Sequence, residues 1–308
     1  MGYREKIKIG FIQTNVDHEM AWSDLYGTLT SSMNEDAEEM VADELRKGFK
    51  FFSEMVMKPE MILIPEYSVP DSLREIIEKF AKENGSVVFF GRDLVQINKS
   101  IVQNKGVAYV PYDWPNVNPY SNFSGNAYEF GKKHYALEEL RWFEALGVDK
   151  KEDNKNYIFD AGDFGNIGIA ICSDFYDLDR FLIYKGLVHH LFIIAYNKDA
   201  NSFEVLTESI SRLLMCNVVI CNSGYYGNSL AFSPYKDNHK RQIYKAVGAN
   251  LFSVQAIELP LSKLDDDQKI AGKLNGFPLP SNNDVNNLKF KAPPGYDKKT
   301  GRFMNENK

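Results

Sequence analysis

Apolar positions in this chain follow two rhythms that take turns along its length. Unbroken apolar runs of strand length occur at "IKIGFIQ" (7–13), "MILIP" (61–65), "SVVFFG" (86–91), "KGVAYVP" (105–111), "GNIGIAIC" (165–172), "LFIIAYN" (191–197) and "NVVICNS" (217–223). Such runs suit strands covered on both faces. Between them, "EDAEEMVADELRKGFKFFSEMVM" (35–57) and "PDSLREIIEKFAKENG" (70–85) place apolar residues near helical spacing, and Gly85 closes the second. Further helices are predicted around 176–190 and over 202–215, and late strands at "GNSLAFSP" and "LFSVQAIELP". Alternating strands and helices predict an α/β protein with two or more buried sheets. Residues 112–126, "YDWPNVNPYSNFSGN", rich in Pro, Asn and Ser, read as a loop. Beyond about residue 262 the text becomes charged and loses its pattern. The organisation expected is therefore one domain over 1–262 and a tail over 263–308, extended or partly disordered, solvated or lying on a partner surface.

Composition narrows the function classes. A chain of 308 residues, 44% hydrophobic and 25% charged, can bury a full core. Its net charge of −6 argues against a nucleic-acid partner, which calls for a basic face. No run of 18 or more apolar residues is present, so no membrane span is expected, and the first residues lack the apolar core of a secretory signal. The three cysteines, Cys172, Cys216 and Cys221, are odd in number and lack C-x-x-C spacing. A reduced, cytoplasmic protein without a metal site is expected.

Three residues at or near strand ends carry candidate chemistry. Glu66 ends "ILIPE" with no basic residue within six positions. Burial there disfavours the carboxylate and raises its pKa, which suits a general base. Cys172 ends "IGIAIC" just before a predicted helix, whose N-terminal partial charge is expected to lower the thiol pKa. The backbone N–H of Ser173 at the same turn could hold an oxyanion. Cys216 and Cys221 read as small buried hydrophobes. None of the five histidines (His18, His134, His189, His190 and His239) carries the signature of a thiol partner, which leaves a papain-like Cys–His hydrolase as the weakest option. "GKKH" (131–134) is by itself an ordinary charge cluster, but a lysine from it could stabilise negative charge at the site.

Taken in order, "MILIPEYSVP", "FGKKHYALEE" and "NIGIAICSDF" resemble the nitrilase superfamily of carbon–nitrogen hydrolases, whose members join Pro-Glu, Lys-x-His and Cys-x-Asp at comparable points. "KIKIGFIQTN" with Gln13, "QNKGVAYVP" with Asn104, "IIAYN" and "VVICNSGYYGNSLAFSP" extend the likeness over roughly 5–262. The resemblance implies a four-layer α-β-β-α sandwich. It implies Glu66 as base, Lys132 as oxyanion stabiliser with Lys133 as the fallback, Cys172 as nucleophile and Glu139 as a second glutamate. Ser173 and Asn197 would contact substrate. The activity implied is hydrolysis of a non-peptide C–N bond, in an amide or N-carbamoyl compound before a nitrile, through a Cys172 thioester and without cofactor. Acyl transfer from the same thioester and a catalytically silent scaffold are the alternatives. A small-molecule substrate and a homodimer or higher homo-oligomer are the partners implied. Gly131 before the lysine pair, Ser173 after the cysteine and the early Arg180 depart from the family's pattern.

Overall fold

A computed structural model describes residues 2–275 and 278–299. Two six-stranded sheets carry the fold. The first runs Ser253–Pro260, Lys6–Gln13, Met61–Leu63, Val87–Gly91, Lys105–Pro111 and Gly125–Gly131. The second runs Gln242–Lys245, Leu230–Phe232, Asn217–Asn222, His190–Ala195, Asn166–Ile171 and Tyr157–Asp160. Each has three parallel strands at its heart and antiparallel strands outside them. The similar phrases "MILIP" and "LFIIA" form the middle strand of the parallel trio in the first and second sheet respectively.

Side-chain alternation explains why these strands read as continuous apolar text. In the first sheet Ile7, Ile9, Phe11, Met61, Leu63, Val87 and Phe89 join one core with residues of the second sheet. The intervening Ile62, Ile64, Val88 and Phe90 belong to another core, shared with helices Glu35–Glu54 and Arg74–Asn84. Both faces are covered, so apolar residues dominate both. Phe89 meets Phe192 of the second sheet edge-on, with centroids 5.5 Å apart. The helix Glu35–Glu54 starts at Asn34, whose side chain accepts the Ala37 N–H, and its Phe49 stacks on Phe80 of the neighbouring helix at 4.1 Å. Helices Leu178–Tyr184 and Ala200–Leu214 contribute Phe181, Tyr184, Phe203, Ile210 and Leu214 to the core of the second sheet.

The segment after Leu261 contains a helix, Ser262–Gly272, and a third small core of Met215, Leu264, Ala271, Phe290 and Tyr296. Buried Asp267 accepts the backbone N–H groups of Lys289 and Phe290 at 2.7 and 3.0 Å, fastening this segment to itself. Among the described residues no helix is long and apolar enough to cross a membrane.

Candidate active site

Glu66 follows the middle parallel strand of the first sheet and is buried, its carboxylate accepting three hydrogen bonds. Its Oε1 accepts from Lys132 Nζ at 2.7 Å and from Asn104 Nδ2 at 2.6 Å. Its Oε2 accepts the Tyr196 backbone N–H at 2.8 Å, from the end of the middle strand of the second sheet. The chain can turn there because Gly91 lies alongside: a Cβ at Gly91 would stand 2.3 Å from the Glu66 Cα. Burial raises the Glu66 pKa; Lys132 opposes the shift and Glu139 adds to it.

Lys132 has no exposed surface and is clamped between two carboxylates, 2.7 Å from Glu66 Oε1 and 2.6 Å from Glu139 Oε2. Burial alone would lower its pKa, but Glu139 and then Glu66 override that and hold the ammonium well above the usual lysine range. Glu139 is fixed in turn by Tyr67 Oη at 2.7 Å, Asn104 Nδ2 at 3.2 Å and the Ala136 N–H at 2.8 Å. Lys133 points elsewhere, to Asp177 Oδ2 at 2.9 Å, which His134 Nε2 approaches to 3.2 Å. Of the adjacent pair, Lys132 lines the cavity and Lys133 does not.

Cys172 opens the 3-10 turn Cys172–Tyr176 directly after strand Asn166–Ile171, with φ at 44°. A cysteine in that left-handed region is strained, and such strain persists where the surroundings dictate the conformation. The expected fall in its pKa does not occur. Burial and then the Glu66 charge push the thiol well above its ordinary value, against the pull of Lys132. A 3-10 turn separates the cysteine from helix Leu178–Tyr184, and that helix start is already capped by Asp177. Cys172 shares its cavity with Glu66 and Lys132.

Asp174 joins the cysteine turn to the lysine segment. It accepts the Lys133 N–H at 3.1 and 3.2 Å and the His134 N–H at 2.8 Å, while buried Arg180 contacts it at 3.2 Å. Ser173 Oγ donates to the His134 carbonyl at 2.5 Å, a second tie between the two segments. Arg180, an anomaly in the sequence, is thus the buried counter-charge of Asp174.

Glu66, Lys132, Glu139, Cys172, Ser173 and Asn197 all line one cavity of about 510 Å³. Asn197 is held by its N–H to Asn222 Oδ1 at 2.8 Å and by its Nδ2 to the Asp199 carbonyl at 2.9 Å. The 112–126 segment lines no part of this cavity. Trp114 instead packs on Phe164, and Gly125 and Asn126 belong to an edge strand. Trp22, Tyr67, Trp142, Tyr196 and Tyr226 wall the cavity and were invisible as a group in the sequence, being scattered over five segments. Cys216 and Cys221 are buried in the core away from this lining, as their strand and helix-end settings predict. Among the described residues no cluster of histidine, cysteine or acidic side chains is arranged to hold a metal ion.

The architecture that holds this cavity is the nitrilase fold. Nit3 of Saccharomyces cerevisiae, described as a member of branch 10 of the nitrilase superfamily, superposes with a TM-score of 0.57 at 11% identity, covering 91% of this chain and 97% of that one. An amidase from Nesterenkonia sp. gives 0.59 at 10% identity over 86% and 95%. XC1258 from Xanthomonas campestris, a CN-hydrolase superfamily protein with an arsenic adduct in its active site, gives 0.58 at 11% over 90% and 100%. In sequence the chain matches no family model and no curated protein.

Proposed function

We propose that the protein is a thiol-dependent hydrolase of a non-peptide carbon–nitrogen bond, in an amide or an N-carbamoyl compound. The observation that carries this reading is the buried ammonium of Lys132, shared by Glu66 and Glu139 in the cavity that Cys172 also lines. A buried carboxylate–ammonium–carboxylate cluster is costly for stability alone, and a thiol beside it gives that cost a purpose.

In this reading Glu66 takes the proton of the Cys172 thiol as the sulfur attacks the substrate carbonyl carbon. The negative oxygen that forms is stabilised by the Lys132 ammonium and the Ser173 backbone N–H. Protonated Glu66 passes its proton to the substrate nitrogen, the C–N bond breaks, and ammonia or an amine leaves a thioester on Cys172. Glu66 then accepts a proton from water as its oxygen attacks the thioester. Glu66 returns that proton to the sulfur, restoring the thiol, and a carboxylic acid leaves, or from an N-carbamoyl compound a carbamic acid that breaks down to CO2 and an amine or ammonia. Splitting one difficult displacement into two is what a covalent nucleophile contributes. Glu139 keeps Lys132 charged and aimed. The raised pKa of Glu66 supports a group that must both take and return a proton. A mutant of the structurally similar Nesterenkonia amidase carries the acetamide moiety of fluoroacetamide on its active-site cysteine, which supports the same role for Cys172.

A screen of amides and N-carbamoyl compounds for ammonia release tests the proposal. Wild type is expected to turn over at least one class. Cys172→Ala is expected to lose at least about a thousand-fold in kcat while melting within a few degrees of wild type. Full activity in Cys172→Ala would remove the nucleophile from the account.

A further inference from the structure

Of the three donors that hold Glu66, two are side chains and one is backbone, the N–H of Tyr196 at 2.8 Å. The same N–H reaches Cys172. Burial and then the Glu66 charge raise that thiol, and a hydrogen bond from Tyr196 works against them alongside Lys132. A backbone group cannot turn as a side chain does, so its direction is set by whatever holds the peptide around it. The strand His190–Ala195 has already ended at this point. Its last ladder bond runs from the Ser223 N–H to the Ala195 carbonyl at 3.0 Å, beside the final pair of Ala195 and Asn222. Tyr196 and Asn197 lie beyond the ladder.

Asn222 takes over where the ladder stops. Its Oδ1 accepts the Asn197 N–H at 2.8 Å and its Nδ2 donates to the Asn197 carbonyl at 2.8 Å, so one side-chain amide pairs both backbone groups of one residue. The other Nδ2 hydrogen goes to the Gly227 carbonyl at 2.6 Å. Both donors and the acceptor of the amide are thus in use, and an aspartate could supply only the acceptor. Asn222 is fixed from behind as well. Its backbone N–H donates to Ser229 Oγ at 3.0 Å, and Ser229 Oγ donates to Gln13 Oε1 at the end of strand Lys6–Gln13 in the first sheet. Asn222, Ser229 and Gln13 are all buried. The Asn197 side chain is engaged with the Asp199 backbone at 2.9 and 3.2 Å, so Asn222 grips the Asn197 peptide and not its side chain.

We infer that Asn222 is a positioning residue, which by gripping Asn197 holds the Tyr196 N–H on Glu66 and Cys172. This rests on the hydrolase reading for the role of Glu66. A hydrogen bond to a carboxylate favours its charged form, and Glu66 must be charged to take a proton. Asn222 does not line the cavity and acts through the backbone alone.

The test reads the acid limb of two pH profiles: kcat/KM on an amide that wild type turns over, and alkylation of Cys172 by iodoacetamide, which needs no substrate. Asn222→Ala is expected to move both limbs up by about one pH unit, the weight of one hydrogen bond to a charged group. Below the wild-type limb, alkylation should slow by about ten-fold. Asn222→Ser, a milder change that leaves a hydroxyl for the buried backbone, carries the same expectation. Lys132 and Glu139, the charged groups that face Glu66, are unchanged in both variants. Asn217→Ala removes a likewise buried amide from the other end of the same strand, where it contacts Pro260 and His190. It should lower stability and leave both limbs in place. Limbs that stay put in the Asn222 variants, or that move as far in Asn217→Ala, would overturn the inference. If wild type hydrolyses no amide, the hydrolase reading fails on those substrates, and the alkylation limb still decides the role of Asn222.

Discussion

A lysine without exposed surface stays charged only where carboxylates compensate for lost water, and Lys132 has two of them within 2.7 Å. Lys132→Met keeps the bulk of the side chain and removes the charge. It is expected to abolish turnover and to cost about 3–5 kcal/mol at neutral pH, because Glu66 and Glu139 would face each other unpaired. Part of that loss should return on acidification, since protonating either carboxylate relieves the repulsion, and chemical denaturation at two pH values reads it directly. Glu66 supplies a pH prediction. A base must be ionised to take a proton, so kcat/KM falls as pH drops through its pKa. Burial raises that pKa, so the acid limb of the profile should lie above the range of an ordinary glutamate. A limb at or below about 4.3, the value of a free glutamate, would separate Glu66 from the proton transfer. Glu66 and Cys172 were legible in the sequence because each ends an apolar run, where a polar residue needs a partner or a use. The pKa of Cys172 was not, because its burial and its distance from a charged base are tertiary facts.

At the scale of elements, the site depends on how the cysteine turn is tied to the lysine segment. Asp174 spans that gap through two backbone N–H groups and balances Arg180. Asp174→Ala touches no proposed reacting group, yet it should lower kcat by about 10- to 100-fold through misplacement of Lys132. It should also destabilise the fold by about 3–5 kcal/mol, because Arg180 is left buried without its counter-charge. Arg180→Met in the same background should restore much of the stability and little of the activity, which urea melts and initial rates would resolve. The strands of both parallel trios were legible from their unbroken apolar text. Edge strands such as Gly125–Gly131 and Tyr157–Asp160 were not, being partly exposed and carrying no long apolar run. Helix Ser262–Gly272 was hidden for a related reason. Its buried positions include Asp265, Asp267 and Gln268, which bury by pairing rather than by being apolar.

Across the whole molecule, the groups of the proposed site come from chain segments separated by dozens of residues and meet because the two sheets deliver their strand ends to one place. Glu66 follows the middle strand of the first trio, and Tyr196 follows the middle strand of the second. One hydrogen bond of 2.8 Å, from the Tyr196 N–H to Glu66 Oε2, joins them across the sheets. Open α/β sheets place their crevices at such carboxyl ends, so the repeated phrases "MILIP" and "LFIIA" were a trace of this arrangement in the sequence. The aromatic wall of the cavity left no trace, because Trp22, Tyr67, Tyr196 and Tyr226 share neither a period nor a segment.

The claim beneath all of this is that Glu66 and Lys132 make Cys172 the protein's one reactive thiol. Treatment with 2-chloroacetamide, followed by peptide mapping by mass spectrometry, tests it most directly. The account predicts a single carbamidomethyl group on Cys172, formed in step with loss of activity and much more slowly in Glu66→Gln. Modification of Cys216 or Cys221 ahead of Cys172, or labelling of Cys172 at an unchanged rate in Glu66→Gln, would contradict it.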